Sequence, residues 1–235
     1  MIRLFVRTSL QKDALVSLDE KTQHYLLHVM RCRDKDEILC FNGLDGEWLC
    51  RLNFPNKKHL SLVVVRQLQK QRNPNFCALC PALIKKDNMD LVLQKTTELG
   101  ITDIYPLITE HTVHAHFNAA HAEAVVKEAA EQCERLTLPI IHKPDRLENI
   151  LKQLPKGCVP CCLAERNEGS DPLPNKGSVA FFVGPEGGWS QKELQFFEHQ
   201  KFTHLHFDVG ILRAETASIA ILSCWQIGRF LLGKK

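Results

Sequence analysis

The residues best suited to bind a ligand form a glycine-rich turn, Gly184-Pro185-Glu186-Gly187-Gly188-Trp189-Ser190, directly after the apolar run Val179–Val183. Three glycines allow close approach to the main chain or a positive φ, although a merely tight turn has the same composition. The carboxylate of Glu186 lies among them and would repel a polyphosphate. The turn therefore favours a ligand with hydroxyls or positive charge, such as a nucleoside carrying a sulfonium or amine, over a nicotinamide cofactor or a nucleoside triphosphate.

A second candidate for chemistry is the segment Gly210-Ile211-Leu212-Arg213-Ala214-Glu215-Thr216-Ala217, just before the last apolar stretch. Arg213 is poorly solvated in such an apolar setting and needs a partner such as a carboxylate or a substrate oxygen. An ion pair between Arg213 and Glu215, or another acid, would satisfy the guanidinium without any function. Glu215 also suits the first turn of a helix, where the helix dipole stabilises an anion.

Cysteines and histidines raise the question of a metal site. Cys77-x-x-Cys80 and Cys158-x-x-Cys161-Cys162 resemble the paired thiolates of a zinc site. Both lie in predicted strands, where residues three apart point to opposite faces, so we expect buried thiols and no metal. The histidines considered as ligands are interpreted as core or solvated side chains: His111, His114, His116, His204 and His206.

The first third of the chain predicts a small β-barrel over residues 1–72. Asn42-Gly43 marks a hairpin turn, and Asp19 caps one short helix. We expect the barrel to be antiparallel, since closure removes exposed strand edges. The predicted strands are Ile2–Val6, Glu37–Phe41, Glu47–Leu52 and Leu60–Val65, and the polar segment 67–75 is the predicted linker.

Residues 73–235 alternate strands and helices, which predicts an α/β domain with helices on both faces of a parallel sheet. Val179–Val183 is apolar without alternation, as expected of a strand covered on both faces. Ser190 and Glu193 predict a capping box at the start of the next helix. The predicted strands are Phe76–Ile84, Ile104–Ile108, Val159–Leu163, Val179–Val183 and His204–Phe207.

The composition, 44% hydrophobic and 24% charged, excludes a disordered or fibrous chain. Residues 1–72 hold 13 Lys and Arg against 8 Asp and Glu, whereas residues 73–235 hold 17 against 19. The basic first part predicts an anionic partner, nucleic acid first, although an uneven solvated surface gives the same counts. Neither a membrane span nor a signal peptide is evident, which predicts a cytoplasmic protein with reduced cysteines.

The last helix, from about Ala214 to Leu232, has almost no polar face. A helix that is apolar all round must be buried all round. Because a helix of this size at a chain end is hard to enclose within one subunit, it predicts the interface of a homodimer.

At these residues the sequence resembles the 16S ribosomal RNA uracil-N3 methyltransferases, a family of the SPOUT, or trefoil-knotted, class. The similarity runs over nearly the whole chain, and two segments together make it specific: Gly184–Gly188 and Ile211–Ala217. The family commonly has arginines where this chain has Glu110-His111-Thr112 and Asp208-Val209-Gly210. Further matching segments are Gln23–His24, Val29–Arg31, Phe41–Gly43, Lys85, Met89–Asp90, Lys95–Gly100, Glu128–Gln132, Arg135 and Pro139.

The resemblance implies an N-terminal PUA-like β-barrel, residues 1–72, that binds RNA. It also implies a C-terminal SPOUT domain, residues 73–235, that contains the knot, the catalytic site and the dimer interface. The expected reaction is the transfer of a methyl group from S-adenosylmethionine to N3 of a uridine in 16S ribosomal RNA or the small ribosomal subunit. Ribose 2′-O methylation and non-catalytic RNA binding or ribosome assembly are the alternatives.

In that reaction Arg213 would steady negative charge on the base oxygens, and Glu186 or Glu215 would orient a substrate or take the N3 proton. The predicted cofactor contacts are Leu163, Ala164, Gly184, Gly187, Gly188, Ile211, Leu212, Ala214, Thr216 and Ala217. The predicted RNA contacts are Arg3, Arg7, Arg31, Arg33, Lys85 and Arg135.

Overall fold

The computed structural model of the chain describes residues 1–56, 59–113, 116–164 and 170–232. His114, one of the histidines considered above, lies outside the described residues. The chain forms two compact units, residues 1–73 with 130–138 and residues 74–129 with 139–235. The predicted domains, 1–72 and 73–235, do not include the return of residues 130–138 to the first unit.

The first unit is built on a five-stranded sheet. Its strands are β1 Arg3–Phe5, β2 Leu15–Ser17, β3 Glu37–Phe41, β4 Glu47–Asn56 and β5 His59–Gln69. Their order is β1-β3-β4-β5-β2, with β1 parallel to β3 and the other three pairings antiparallel. The prediction of a wholly antiparallel barrel is therefore wrong at β1. Strand β5 also continues into the segment that was predicted as a linker.

Between β2 and β3 the chain forms helix α1, Glu20–His24, which continues as a π-helical turn, Tyr25–Val29. The predicted cap is confirmed, because the Asp19 carboxylate accepts a hydrogen bond from the Thr22 backbone N–H at 2.7 Å. Leu26 is fully buried in the core of the sheet and fixes the helix against it.

Arg3 stabilises the interior of the first unit. Its side chain is buried, Nε donates to Glu47 Oε1 at 2.6 Å, and Nη1 donates to the Ala130 carbonyl at 2.8 Å. Nη2 donates to the Arg135 carbonyl, and the guanidinium lies 3.9 Å from the centre of the Phe41 ring. The guanidinium is thus bonded within its own unit, and its predicted contact with RNA stays a prediction.

The second unit is built on a six-stranded sheet in which all neighbouring strands are parallel. Its strands are β6 Cys77–Pro81, β7 Asp103–Ile104, β8 Ile140–Ile141, β9 Val159–Leu163, β10 Val179–Val183 and β11 Thr203–Leu205. Their order is β11-β9-β10-β6-β7-β8. The parallel α/β prediction is confirmed, although β8 was not predicted and three predicted strands are longer than the observed ones.

The two faces of this sheet bury two separate cores. Phe181 of β10 packs in one core with Cys77, and the next residue, Phe182, packs in the other with Cys80. All five residues of β10 are buried, as predicted for a strand covered on both sides. The cysteines three apart in β6 therefore point to opposite faces, which confirms the geometric reason for excluding them as joint ligands.

Five helices cover the sheet: α2 Lys86–Glu98, α3 Ala119–Gln132, α4 Leu147–Gln153, α5 Gln191–His199 and α6 Ala214–Leu232. The predicted capping box of α5 is confirmed, because Ser190 Oγ accepts from the Glu193 N–H and the Glu193 carboxylate accepts from the Ser190 N–H. No helix in the described parts of the chain is long and apolar enough to cross a membrane.

Helix α6 is buried on one side only within the single chain. Ile221, Leu222 and Trp225 lie in the core, but Ile227 and Phe230 are 58% and 62% exposed. The prediction of burial all round therefore does not hold for one subunit taken alone. An apolar side of the last two turns stays accessible.

Candidate active site

A cavity of about 360 Å³ opens at the carboxyl edge of the second sheet. It lies where the adjacent strands β9, β10 and β11 end, which is the usual ligand-binding edge of an open α/β sheet. Its wall comes from the residues after β9, the glycine-rich turn after β10, and the bend between β11 and α6. The described lining residues are Leu163, Ala164, Val183–Pro185, Gly187–Trp189, Leu194, Leu205–Phe207, Val209–Leu212, Ala214 and Ala217.

Trp189 fixes the glycine-rich turn against the strands. Its indole Nε1–H donates to the Leu163 carbonyl at 2.7 Å, and its ring packs edge-on against Phe197 at 4.8 Å between centroids. A Cβ at Gly184 would lie only 3.1 Å from the indole. Gly188 has φ +68°, and its N–H donates to the Pro185 carbonyl at 2.9 Å. Close packing at Gly184 and the positive φ at Gly188 therefore favour glycine at both positions.

The opposite wall is the bend between β11 and α6. His206 Nδ1 lies 3.2 Å from the Ala164 carbonyl oxygen, which can only accept, so Nδ1 carries the proton. Ala214 and Ala217 are buried at the start of α6 and present only methyl groups to the cavity. Ile211 is 65% exposed and lies at the rim.

The structure brings the predicted cofactor contacts together with one exception. All of them line the cavity except Thr216, which is exposed on the first turn of α6 and does not reach it. Their role in holding a cofactor stays a prediction. Sequence reasoning missed Trp189 and His206 as wall residues. Trp189 stood within the quoted turn, whereas nothing in the local pattern placed His206 beside the residues after β9.

The three predicted catalytic residues differ in their surroundings. Glu186 and Arg213 are exposed, and each lies between two residues of the cavity wall. Glu215 is only 7% exposed, and its Oε2 is buried without a hydrogen-bond partner. Among the described residues neither Arg213 nor Glu215 has an ion-pair partner, so the alternative of an Arg213–Glu215 pair is wrong.

The predicted RNA contacts other than Arg3 lie on the surfaces of their own units. Arg7, Arg31 and Arg33 of the first unit are exposed, as is Lys85 of the second. Arg135 is half-buried, and its Nη2 lies 3.3 Å from Thr137 Oγ1. Their contact with RNA stays a prediction.

The thiols in and just before β9 are unreactive at neutral pH. Burial raises the pKa of Cys158, Cys161 and Cys162 to about 12, so all three stay protonated at neutral pH. A neutral thiol is neither a nucleophile nor a metal ligand. Within the part of the chain that is described, no group of three His, Cys, Asp or Glu side chains is placed to hold a metal ion.

Comparisons with known proteins identify the family. The RNA methyltransferase domain matches residues 71–226, and the RNA methyltransferase PUA domain matches residues 18–65. The ribosomal RNA small subunit methyltransferase E of Rickettsia conorii is 34% identical, over 94% of this chain and 93% of its own. A solved ribosomal RNA small subunit methyltransferase E of Neisseria gonorrhoeae, bound to S-adenosyl methionine, is 28% identical, covers 97% of both chains and has a TM-score of 0.86.

A solved methyltransferase of Legionella pneumophila, in complex with the bound cofactor SAM, is 25% identical and has a TM-score of 0.85 over 96% of this chain and 97% of its own. These matches extend over both units and over the cavity described above. They confirm the resemblance drawn from the sequence and the expected fold, a SPOUT α/β domain preceded by a PUA-like domain. The chain belongs to the RNA methyltransferase family that includes ribosomal RNA small subunit methyltransferase E.

Proposed function

We propose that this protein transfers a methyl group from S-adenosylmethionine to N3 of a uridine in 16S ribosomal RNA. The observation that carries the proposal is the cavity in which the turn after β10 and the bend before α6 meet. Two solved relatives of the same fold hold S-adenosylmethionine. The curated relatives carry names that specify the RNA of the small ribosomal subunit.

The cavity residues fit a nucleoside that carries a sulfonium. The volume of about 360 Å³ is within the usual range of small-molecule sites. None of its described lining residues is a lysine or arginine. A positively charged side chain there would repel a sulfonium, whereas a polyphosphate would need one. Wall residues with little or no side chain, such as Gly187 and Ala217, leave room for adenine and ribose close to the main chain.

When bound, S-adenosylmethionine supplies an electrophilic methyl group. The protein must align the uracil ring with that group and help N3 lose its proton. We assign Arg213, which is exposed beside Leu212, to hold the uracil oxygens as negative charge develops on them. Glu186, exposed beside Gly187, can take a proton and release it to water. We therefore assign it the base role.

Glu215 suits a different role. Its buried Oε2 accepts no hydrogen bond from any described residue. An unpaired buried carboxylate oxygen is unfavourable unless a ligand or another subunit supplies a hydrogen-bond donor. It follows two residues after Arg213, at the start of α6. We assign Glu215 to orienting a bound group through a hydrogen bond rather than to proton transfer.

The first unit is proposed to bind the RNA backbone through Arg7, Arg31 and Arg33. Phosphate contacts of this kind release counterions, so the affinity should fall as salt rises. Replacing these arginines should weaken RNA binding and flatten its salt dependence, with little effect on cofactor affinity.

The protein is also proposed to act as a homodimer in the cytoplasm, where its ribosomal substrate would be found. The accessible apolar side of α6, around Ile227 and Phe230, is the expected interface. Light scattering after size-exclusion chromatography should give a dimer, and Phe230→Glu should shift it toward the monomer. A monomer at every concentration of the unmodified protein would contradict this assignment.

Mass spectrometry of nucleosides from treated small subunits tests the reaction. We expect N3-methyluridine with the unmodified protein, and none with Arg213→Ala, which should still bind S-adenosylmethionine in a calorimetric titration. A 2′-O-methylated nucleoside would show that the protein methylates ribose and not N3 of uridine. If the unmodified protein does not bind S-adenosylmethionine, it is a non-catalytic RNA-binding protein. Full activity of Arg213→Ala would remove that residue from the site.

A further inference from the structure

The loop Thr109–Thr112 is bonded to the glycine-rich turn and the start of α5 through contacts that the mechanism above does not use. It is closed on itself, since the Thr109 N–H donates to Thr112 Oγ1 at 2.9 Å and the two hydroxyls lie 2.8 Å apart. The Glu110 N–H donates to Glu193 Oε1 at 3.0 Å. The other oxygen of that carboxylate accepts from the Ser190 N–H at 2.8 Å. One buried carboxylate thus joins the loop to the helix that follows the turn.

His111 makes the direct contact with the turn. Its Nδ1 lies 3.0 Å from the Gly187 carbonyl oxygen and 3.1 Å from that of Gly188. Because a carbonyl oxygen only accepts, Nδ1 must carry the proton and donate to both. A Cβ at Gly187 would lie 3.2 Å from the His111 Cβ, so a side chain there would crowd this approach.

The contact decides which way two peptide groups of the turn face. In a trans peptide the carbonyl and the following N–H point in opposite directions, and the chain has no cis peptide among its described residues. With the two carbonyls directed at His111, the N–H groups of Gly188 and Trp189 point away from it. The Gly188 N–H bonds within the turn, to Pro185. No described residue accepts from the Trp189 backbone N–H, and Trp189 lines the cavity.

We propose that His111 is a positioning residue for the S-adenosylmethionine site. By holding the two carbonyls, it fixes the peptide groups that the turn offers to the nucleoside, the Trp189 N–H above all. His111 itself is not among the residues that line the cavity, so it acts through the turn and not by touching the ligand. This inference rests on the proposed function.

Three substitutions at His111 distinguish the effect of losing the hydrogen-bond donor from the effect of changing the size of the side chain. His111→Phe keeps a ring of similar size and removes the donor. His111→Asn places an amide N–H at the position of Nδ1, whereas His111→Gln places it one bond farther from the backbone. His199→Phe, on the exposed last turn of α5, is the matched control.

Titration calorimetry with S-adenosylmethionine provides the readout. We expect His111→Phe to raise the Kd about tenfold, equivalent to about 1.4 kcal/mol, and His111→Asn to recover most of that loss. His111→Gln should recover less, and His199→Phe should match the unmodified protein. The melting temperature should change little in all four, because both histidines are exposed.

The KM for S-adenosylmethionine in the methyl-transfer assay should rise with the Kd, since the defect lies in binding. A Kd for His111→Phe equal to that of the unmodified protein would overturn the inference. So would an equal loss in the Phe and Asn variants accompanied by a lower melting temperature, because that pattern indicates a structural role. If the unmodified protein binds no S-adenosylmethionine, the proposed function itself is refuted.

Discussion

Gly184→Ala is the substitution for which the structure makes the sharpest prediction. Gly184 has no positive φ, so alanine brings no backbone strain. Its methyl group would instead lie 3.1 Å from Cε2 and 3.3 Å from Cδ2 of the Trp189 indole. The indole has little room to retreat, because it is bonded to the Leu163 carbonyl and packed against the fully buried Phe197.

The size of the effect follows from these contacts. The indole must shift by a few tenths of an ångström, which lengthens the 2.7 Å hydrogen bond to Leu163. Overpacking of this kind costs about 1–3 kcal/mol, and a weakened hydrogen bond accounts for up to about 1 kcal/mol of that range. Since Gly184, Leu163 and Trp189 all line the cavity, we expect the Kd for S-adenosylmethionine to rise about tenfold as the wall moves.

Urea denaturation and calorimetry of a double-mutant cycle with Trp189→Phe measure both effects. The smaller ring leaves space for the methyl group, so Gly184→Ala should be less destabilising in the Trp189→Phe background than alone. Gly210→Ala is the control for stability, because a Cβ at this other wall glycine meets nothing within 4 Å. Equal costs of Gly184→Ala in both backgrounds would show that the collision with Trp189 is not the cause.

Other parts of the molecule give further predictions. Arg3→Met should lower the free energy of unfolding by about 3–5 kcal/mol in urea denaturation, because it leaves the nearly buried Glu47 carboxylate unpaired. Burial raises the pKa of the Cys158, Cys161 and Cys162 thiols from 9.0 to about 12. Because the unfolded chain loses these protons at lower pH than the folded protein, the free energy of unfolding should fall as pH rises from 9.0 to about 12. The fall should be less steep in variants in which valine replaces these cysteines. Partial burial opposes ionisation of Asp90, but hydrogen bonds from His121 and Lys86 outweigh it and lower the pKa of the carboxyl. Asp90→Asn should therefore remove stability that is present above pH 3.8 and lost in stronger acid, as thermal denaturation at neutral and acid pH would show.

The position of the site was predictable because it depends on strands that can be recognised from their apolar sequence. Val179–Val183 and Val159–Leu163 are apolar runs, and the carboxyl ends of parallel strands meet at one edge of their sheet. No local sequence pattern predicts that β9, β10 and β11 are neighbours in the sheet. Strand order depends on how the connections pass over the sheet, so here the resemblance to a known family supplied what periodicity does not.

The burial of Arg3 could not be predicted from the local sequence, and the reason is physical. An arginine next to apolar residues in a short terminal strand is usually solvated, and the basic composition of residues 1–72 favours a phosphate contact. Its burial depends on carbonyl oxygens of Ala130 and Arg135, which lie more than a hundred positions away in the chain. Sequence patterns report neighbours along the chain, and these partners are neighbours only in the fold.

Arg213 and Glu215 show how helix geometry separates two residues that the sequence invites us to pair. Residues two apart near a helix are rotated by roughly 200° about its axis and do not face each other. Arg213, just before α6, is accordingly exposed, while Glu215 in the first turn is buried with an unfilled acceptor. A pair would have cancelled both charges. Because they are held apart, the exposed guanidinium and the buried carboxylate face different surroundings, which is why we propose a separate role for each.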